Sequence, residues 1–167
     1  MSATDELLKN AQAYASSFDK AGLPGPPARK VAVVACMDAR LSPYALLGLE
    51  EGDAHVIRNA GGVVTDDEIR SLSISQRLLG TEEVILIFHT ECGMLTFTDE
   101  DFKRQVKEET GVEPDWPVET FTDLDEAVRD SIARVKNSPF IPRKESVRGF
   151  VYDVKTGQLE EVVERGG

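Results

Sequence analysis

Two stretches of this chain, VAVVA at residues 31–35 and EVILIF at 83–88, are nearly unbroken apolar runs rich in branched side chains. Neither alternates apolar with polar residues. A strand built from either has no face to give to water and must be covered on both sides. A third short run, AHVIR at 54–58, lies between them, and the intervening segments carry helix signals. Ser42-Pro43 offers a cap followed by a first-turn proline, which predicts a short helix to about residue 47. TDDE at 65–68 is a capping box, with Thr65 and Glu68 able to satisfy each other's main-chain donors. The helix it opens carries Ile69, Leu72, Ile74 and Leu78 and should stop at Gly80. Helical patterns recur at 99–109 and 123–136, separated by the irregular GVEPDWP. VRGFVYDVKTGQLEEVVE then reads as two strands joined by a Lys-Thr-Gly turn. The alternation predicts an α/β fold: a mostly parallel central sheet flanked by helices, with a C-terminal antiparallel hairpin or edge strand.

Ahead of this core, Thr4 can cap a helix with Asp5 and Glu6 in its first turn, and Leu7, Leu8, Ala11, Ala15 and Phe18 share one stripe. Gly22 can end that helix, and LPGPP at 23–27 is a linker. One domain over 1–167 is expected, with 1–27 as helix and linker and 28–163 as core. No apolar run approaches the ~20 residues of a membrane span. MSATDELLKN has neither a basic leader nor an apolar core, so a signal peptide is not expected and a cytoplasmic location is. The chain has 30 Asp plus Glu against 19 Lys plus Arg, a net charge of -11. Such a surface argues against nucleic acid or an anionic membrane as partner.

In open α/β sheets, ligands bind beyond the carboxyl ends of the strands. Here those ends read CMDAR (36–40), RNAGG (58–62) and HTECG (89–93). His89 and Cys92 have the H-x-x-C spacing that lets two side chains of one turn reach a common point, and Cys36 would arrive from a neighbouring strand. Two thiolates and an imidazole suit zinc. A structural zinc site is closed by four protein ligands, whereas only three converge here, so the fourth position is open to water or blocked by a nearby carboxylate. Other readings of Cys36 fail on spacing. A phosphatase-type loop needs its arginine six residues on, but Arg40 is four on. A redox C-x-x-C is absent, and a Cys–His hydrolase would leave Cys92 without a part.

CMDARL, RNAGG and HTECGM, in this order and spacing, closely resemble the motifs of β-class carbonic anhydrases, and VRGFVYDVKTGQLEEV resembles that family's terminal strand pair. The resemblance spans most of residues 28–163, at the length of the compact prokaryotic members. It implies Cys36, His89 and Cys92 as ligands of one Zn(2+) per subunit, and Asp38 with Arg40 as the catalytic dyad. It also implies zinc-dependent reversible hydration of CO2 to bicarbonate and a proton, by hydroxide made available at the metal. A homodimer with its first helix reaching across is implied too, with pairing into tetramers as the alternative.

Arg40 is expected to hold Asp38 off the metal through a bidentate bond, leaving Asp38 to orient the water. Arg58, Gly61 and Gly62 form the candidate substrate side. Arg58 either supplies positive charge for the anionic product or, with Asn59, braces the turn, the bracing part being favoured; Gly61 and Gly62 permit close main-chain approach. Val63, Val64, Met94 and Leu95 are candidate apolar lining by position. His55 reads as a satisfied interior histidine, with proton shuttling the other reading, and Glu91 is given no chemistry.

The reference pKa of zinc-bound water in a three-histidine carbonic anhydrase is about 7. Two thiolates already cancel the ion's charge and should acidify water less. The CO2-hydration rate is therefore expected to rise with pH, and stopped-flow rates that stay flat between about pH 6 and 9 would contradict this. Hydrolysis of a CO2 analogue such as carbon disulfide, and a non-catalytic zinc-binding protein, are the rival functions. The intact Asp38–Arg40 pair argues against the second.

Overall fold

The runs at 31–35 and 83–88 become adjacent parallel strands at the heart of a five-stranded sheet. The structure, a computed structural model, describes residues 2–164. Its elements in chain order are α1 (Ala3–Ser16), β1 (Val31–Cys36), α2 (Pro43–Leu47), β2 (Ala54–Asn59), α3 (Asp66–Leu79), β3 (Glu83–His89), a 3-10 turn (Gly93–Leu95), α4 (Asp99–Thr110), α5 (Leu124–Asn137), β4 (Val147–Tyr152) and β5 (Leu159–Val162). The strands lie in the order β2-β1-β3-β4-β5. β1, β2, β3 and β4 run parallel, and β5 closes the edge antiparallel to β4. The expected mostly parallel sheet with a C-terminal hairpin is what forms.

Alternate residues of β1 feed two cores. Ala32 and Val34 join Leu72, Leu86, Phe88, Val128 and Ile132 on the face covered by α3 and α5. Val33 and Ala35 join Leu41, Ile87 and Met94 on the other face, with Cys36 and Cys92 in the same layer. Residues 32–35 are wholly buried, as a run without polar alternation requires. Gly149 of β4 lets α5 lie close, since a Cβ there would stand 2.2 Å from a Val128 methyl carbon.

Local signals fix the helix ends. Thr65 and Glu68 form the expected capping box, and Gly80 ends α3 in the left-handed conformation. Ser42 caps α2 with Pro43 in its first turn. The first helix departs from expectation: Ser2, not Thr4, is its cap, forming a capping box with Asp5, and the helix ends at Ser16 rather than near Gly22. No residue of α1 is buried. Leu7 and Leu8 are 66% and 56% exposed, so the apolar stripe is real but has no cover among the described residues. No helix among the described residues is long and apolar enough to cross a membrane.

The order β2-β1-β3 places a topological switch between β1 and β3. The chain leaves β1 for one edge and β3 for the other, so their carboxyl ends part and leave a crevice. Cys36 ends β1 and His89 ends β3.

Candidate metal centre

At the switch point, β1 delivers Cys36, β3 delivers His89, and the turn after β3 delivers Cys92. One ligand atom from each lies within 4.8 Å of the others, and all three residues are buried. The local backbone explains the convergence. Glu91 adopts a left-handed φ of 55°, reversing the chain between His89 and Cys92. Cys92 is in extended conformation at the mouth of the 3-10 turn, aiming its sulfur back at the strand ends.

The His89 ring has one fixed side and one open side. Its Nδ1 donates to the Thr90 carbonyl at 2.8 Å, which leaves the lone pair on Nε2. Nε2 is buried and has no hydrogen-bond partner among the described residues. Such an orphaned acceptor beside two sulfurs fits a metal ligand. The electrostatics agree. The hydrogen bond from Cys92 pulls the Cys36 thiol far down, assisted by main-chain N–H groups of Asp38 and Gly61, and Cys92 is pushed up by the same pairing and by burial. The pairing thus favours the thiolate at Cys36 and opposes it at Cys92. Burial opposes charge on His89, yet the Cys36 sulfur, the Thr90 carbonyl and Asp38 raise it overall. The hole demands a cation, and the donor set of two thiolates and an imidazole fits zinc.

Asp38 and Arg40 stand at the rim. Asp38 Oδ2 is 3.7 Å from His89 Nε2. The Arg40 guanidinium grips the carboxylate with Nε to Oδ1 at 3.0 Å and an Nη2 bond to Oδ2 at 2.8 Å, and the Arg40 main-chain N–H adds a 2.9 Å bond to Oδ1. Hydrogen bonds from the Arg40 side chain and main chain hold the carboxyl well below the usual range. Asp38 thus stays ionised and gripped as pH falls through the ordinary carboxylate value near 4.

Arg58 lies beneath the loop. Its guanidinium donates to the carbonyls of Cys36 (2.8 and 3.0 Å), Asp38 (2.8 Å) and Leu41 (2.7 Å), bracing residues 36–41 from below. These contacts are the bracing part of the two expected for it. Asn59 supports the next turn by donating to the Val63 carbonyl at 2.7 Å. Gly61 and Gly62 both have positive φ, and their closeness to the site is literal: a Cβ on Gly62 would stand 2.8 Å from the Cys36 nitrogen. His55 is elsewhere, its Nδ1 bonded to Ser75 Oγ at 2.7 Å on the face under α3.

A cavity of about 530 Å³ opens over the three ligands and Asp38. Of the four residues expected to line it, Met94 does so; Val63 and Val64 are buried in the opposite core, and Leu95 packs beside the site. Phe97, Phe102, Trp116 and Val118 supply most of the remaining apolar wall. The three rings form a tilted ladder with centroids 5.8 and 6.2 Å apart. Sequence reading missed them because the 111–121 segment returns to the site through distant contacts, a bond from the Phe121 N–H to the Met94 carbonyl and the Asp99 carboxylate. That carboxylate accepts from the main chain of Val118, Glu119 and Thr120 and from the Thr120 hydroxyl.

Comparison with known proteins places this geometry. The family model for carbonic anhydrase matches residues 31–159. The β-carbonic anhydrase 1 of Mycobacterium tuberculosis is 59% identical over 162 residues, covering 97% of this chain and 99% of its own. The crystal structure of a carbonic anhydrase from Streptococcus mutans matches with a TM-score of 0.91 at 48% identity, over 98% of this chain and 99% of that one. A carbon disulfide hydrolase of Acidithiobacillus thiooxidans is further off, 36% identical over 80% of this chain and 77% of its own. Matched from its first strand into its last, and sharing over half its residues with a β-carbonic anhydrase along nearly its whole length, the chain belongs to the carbonic anhydrase family, in its β class.

Proposed function

We propose that the interconversion of CO2 and bicarbonate, the activity of a carbonic anhydrase, runs here on one zinc ion held by Cys36, His89 and Cys92, with Asp38 and Arg40 as the catalytic dyad. The carrying observation is the buried, partnerless Nε2 of His89 beside two sulfurs, with an ionised carboxylate 3.7 Å away. The zinc ion would supply Lewis acidity, making hydroxide available far below the pH at which free water ionises.

Everything else is done by the chain. Asp38 accepts a hydrogen bond from the attacking water and turns its lone pair toward the CO2 carbon. Arg40 keeps that carboxylate at the rim, since an unheld carboxylate so near a divalent ion would fill the open ligand position itself. Met94, Phe97 and Val118 give CO2 an apolar wall. The Arg40 guanidinium, half exposed, offers positive charge beside the departing anion in a protein of net charge -11. Arg58, Gly61 and Gly62 serve the substrate side by fixing the loops that shape it.

The 59% identity to a carbonic anhydrase, against 36% to a carbon disulfide hydrolase, favours CO2 over that linear analogue. The chain's acidic surface and reduced thiols suit a cytoplasmic setting. The exposed apolar stripe of α1 supports a homodimer in which a second copy covers it.

Stopped-flow CO2 hydration tests the dyad. Asp38→Ala should lower kcat by about 10²-fold or more, the usual contribution of a positioned proton acceptor, while zinc content stays near one per chain. Equal activity in the variant, or chelator-treated protein that keeps full activity, would overturn the mechanism.

A further inference from the structure

Arg40 is contested by two carboxylates. Besides its fork with Asp38, its Nη2 donates to the Glu91 carbonyl at 3.2 Å, and its Nη1 stands 3.7 Å from Glu91 Oε2. That last separation is an ångström short of a full bond. A small swing of Glu91 would give it the guanidinium and release Asp38. The swing is opposed by Lys155, whose ammonium lies 2.9 Å from Glu91 Oε1.

Lys155 is set in place for this. It sits in the β4–β5 turn, where Asp153 Oδ1 accepts from the main-chain N–H groups of Lys155 (2.7 Å) and Thr156 (3.1 Å). The same hairpin is tied to the residue beside Glu91. Thr90 donates its N–H to the Tyr152 carbonyl at 2.9 Å, and its hydroxyl accepts from the Val154 N–H at 3.1 Å. Glu91 itself is pinned by its left-handed backbone. Two anchored backbones thus carry the pair, and only side-chain torsions decide where the Glu91 carboxylate goes.

We infer that Lys155 and Glu91 are positioning residues for the catalytic dyad: Lys155 draws the Glu91 carboxylate away from Arg40, so that the whole guanidinium fork stays on Asp38. The inference rests on the reading of Asp38 and Arg40 given above. Both side chains are well exposed, 74% for Lys155 and 50% for Glu91, so the effect is modest and screened by salt.

The test compares Lys155→Ala, Glu91→Gln, their double variant and Arg40→Ala as zinc-loaded proteins. Two measurements are made: hydrogen exchange of the Arg40 Nε–H by nitrogen-15 NMR, and stopped-flow CO2 hydration. Lys155→Ala should speed Nε–H exchange about two- to fivefold and slow hydration by a similar factor at about 0.02 M salt, with both effects shrinking at about 0.5 M. Added to Glu91→Gln, the lysine change should do nothing further, because the competing charge is gone. Unchanged Nε–H exchange in Lys155→Ala, or a loss that persists undiminished beside Glu91→Gln, would overturn the inference. Loss of activity in Arg40→Ala alongside either result leaves the dyad standing and removes only the part given to Lys155. Full activity in Arg40→Ala would remove both.

Discussion

His89→Ala should purify with well under one zinc per chain and hydrate CO2 at least about 10³-fold more slowly than the parent, a small share of the accelerations enzymes reach. The imidazole is 1% exposed, and its Nε2 has no partner other than the space between the sulfurs. Taking it away leaves two sulfurs, while the Asp38 carboxylate that stands 3.7 Å from Nε2 is held at the rim by Arg40. A divalent ion must then displace protons from the thiols with one neutral ligand fewer, which weakens binding most at low pH. The fold need not follow the metal, because each core carries its own buried apolar set and His89 is the last residue of its strand. Zinc analysis by mass spectrometry, with circular dichroism to confirm the fold, separates loss of metal from loss of structure. A His89→Ala protein with one tightly held zinc per chain would show that the imidazole is not a ligand.

Much of this centre was legible before any coordinates. The unalternated VAVVA run could only be a doubly covered strand, so Cys36 had to stand at a strand end, and residues 32–35 are indeed wholly buried. H-x-x-C is a local geometric statement, and the turn at Glu91 carries it out. C-x-D-x-R is equally local: Asp38 and Arg40 are two residues apart, and the main-chain N–H of Arg40 helps close the fork.

What stayed hidden depends on distant contacts. The stripe on α1 announced a face needing cover but not what covers it, and among the described residues nothing does. The cap moved from Thr4 to Ser2 because Ser2 has Asp5 three residues on to complete a capping box, whereas Thr4 has Leu7 there. The aromatic wall was unreadable because Trp116 and Val118 reach the crevice through distant contacts, chiefly where Asp99 gathers the N–H groups of 118–120. No spacing rule encodes that reach across some twenty residues. Lys155 was unreadable for the same reason, since the hairpin's place beside Thr90 follows from the parallel pairing of β4 with β3.

Gly62→Ala is expected to cost about 3 kcal/mol of stability and to loosen the metal centre with it. Gly62 has φ of +72°, where an L side chain is strained by about 1–2 kcal/mol. The three atoms nearest its added Cβ would all be main chain: the Cys36 nitrogen at 2.8 Å, the Ile87 oxygen at 3.0 Å and the Ala35 carbonyl carbon at 3.2 Å. No rotamer relieves such contacts, so β1 and β3 must part where they present Cys36 and His89, adding roughly 1–3 kcal/mol. At this chain length the melting temperature should fall by roughly 6–12 °C. Zinc should also leave faster in competition with a chromophoric chelator, because the ligands ride on the strands being separated. Gly93→Ala is the matched control. Gly93 adjoins Cys92, yet it lacks positive φ and a Cβ there meets nothing within 4 Å, so its stability should stay within about 0.5 kcal/mol of the parent. If Gly62→Ala melts and releases zinc as Gly93→Ala does, the close approach of the RNAGG turn to the strand ends is not what holds the ligands in register.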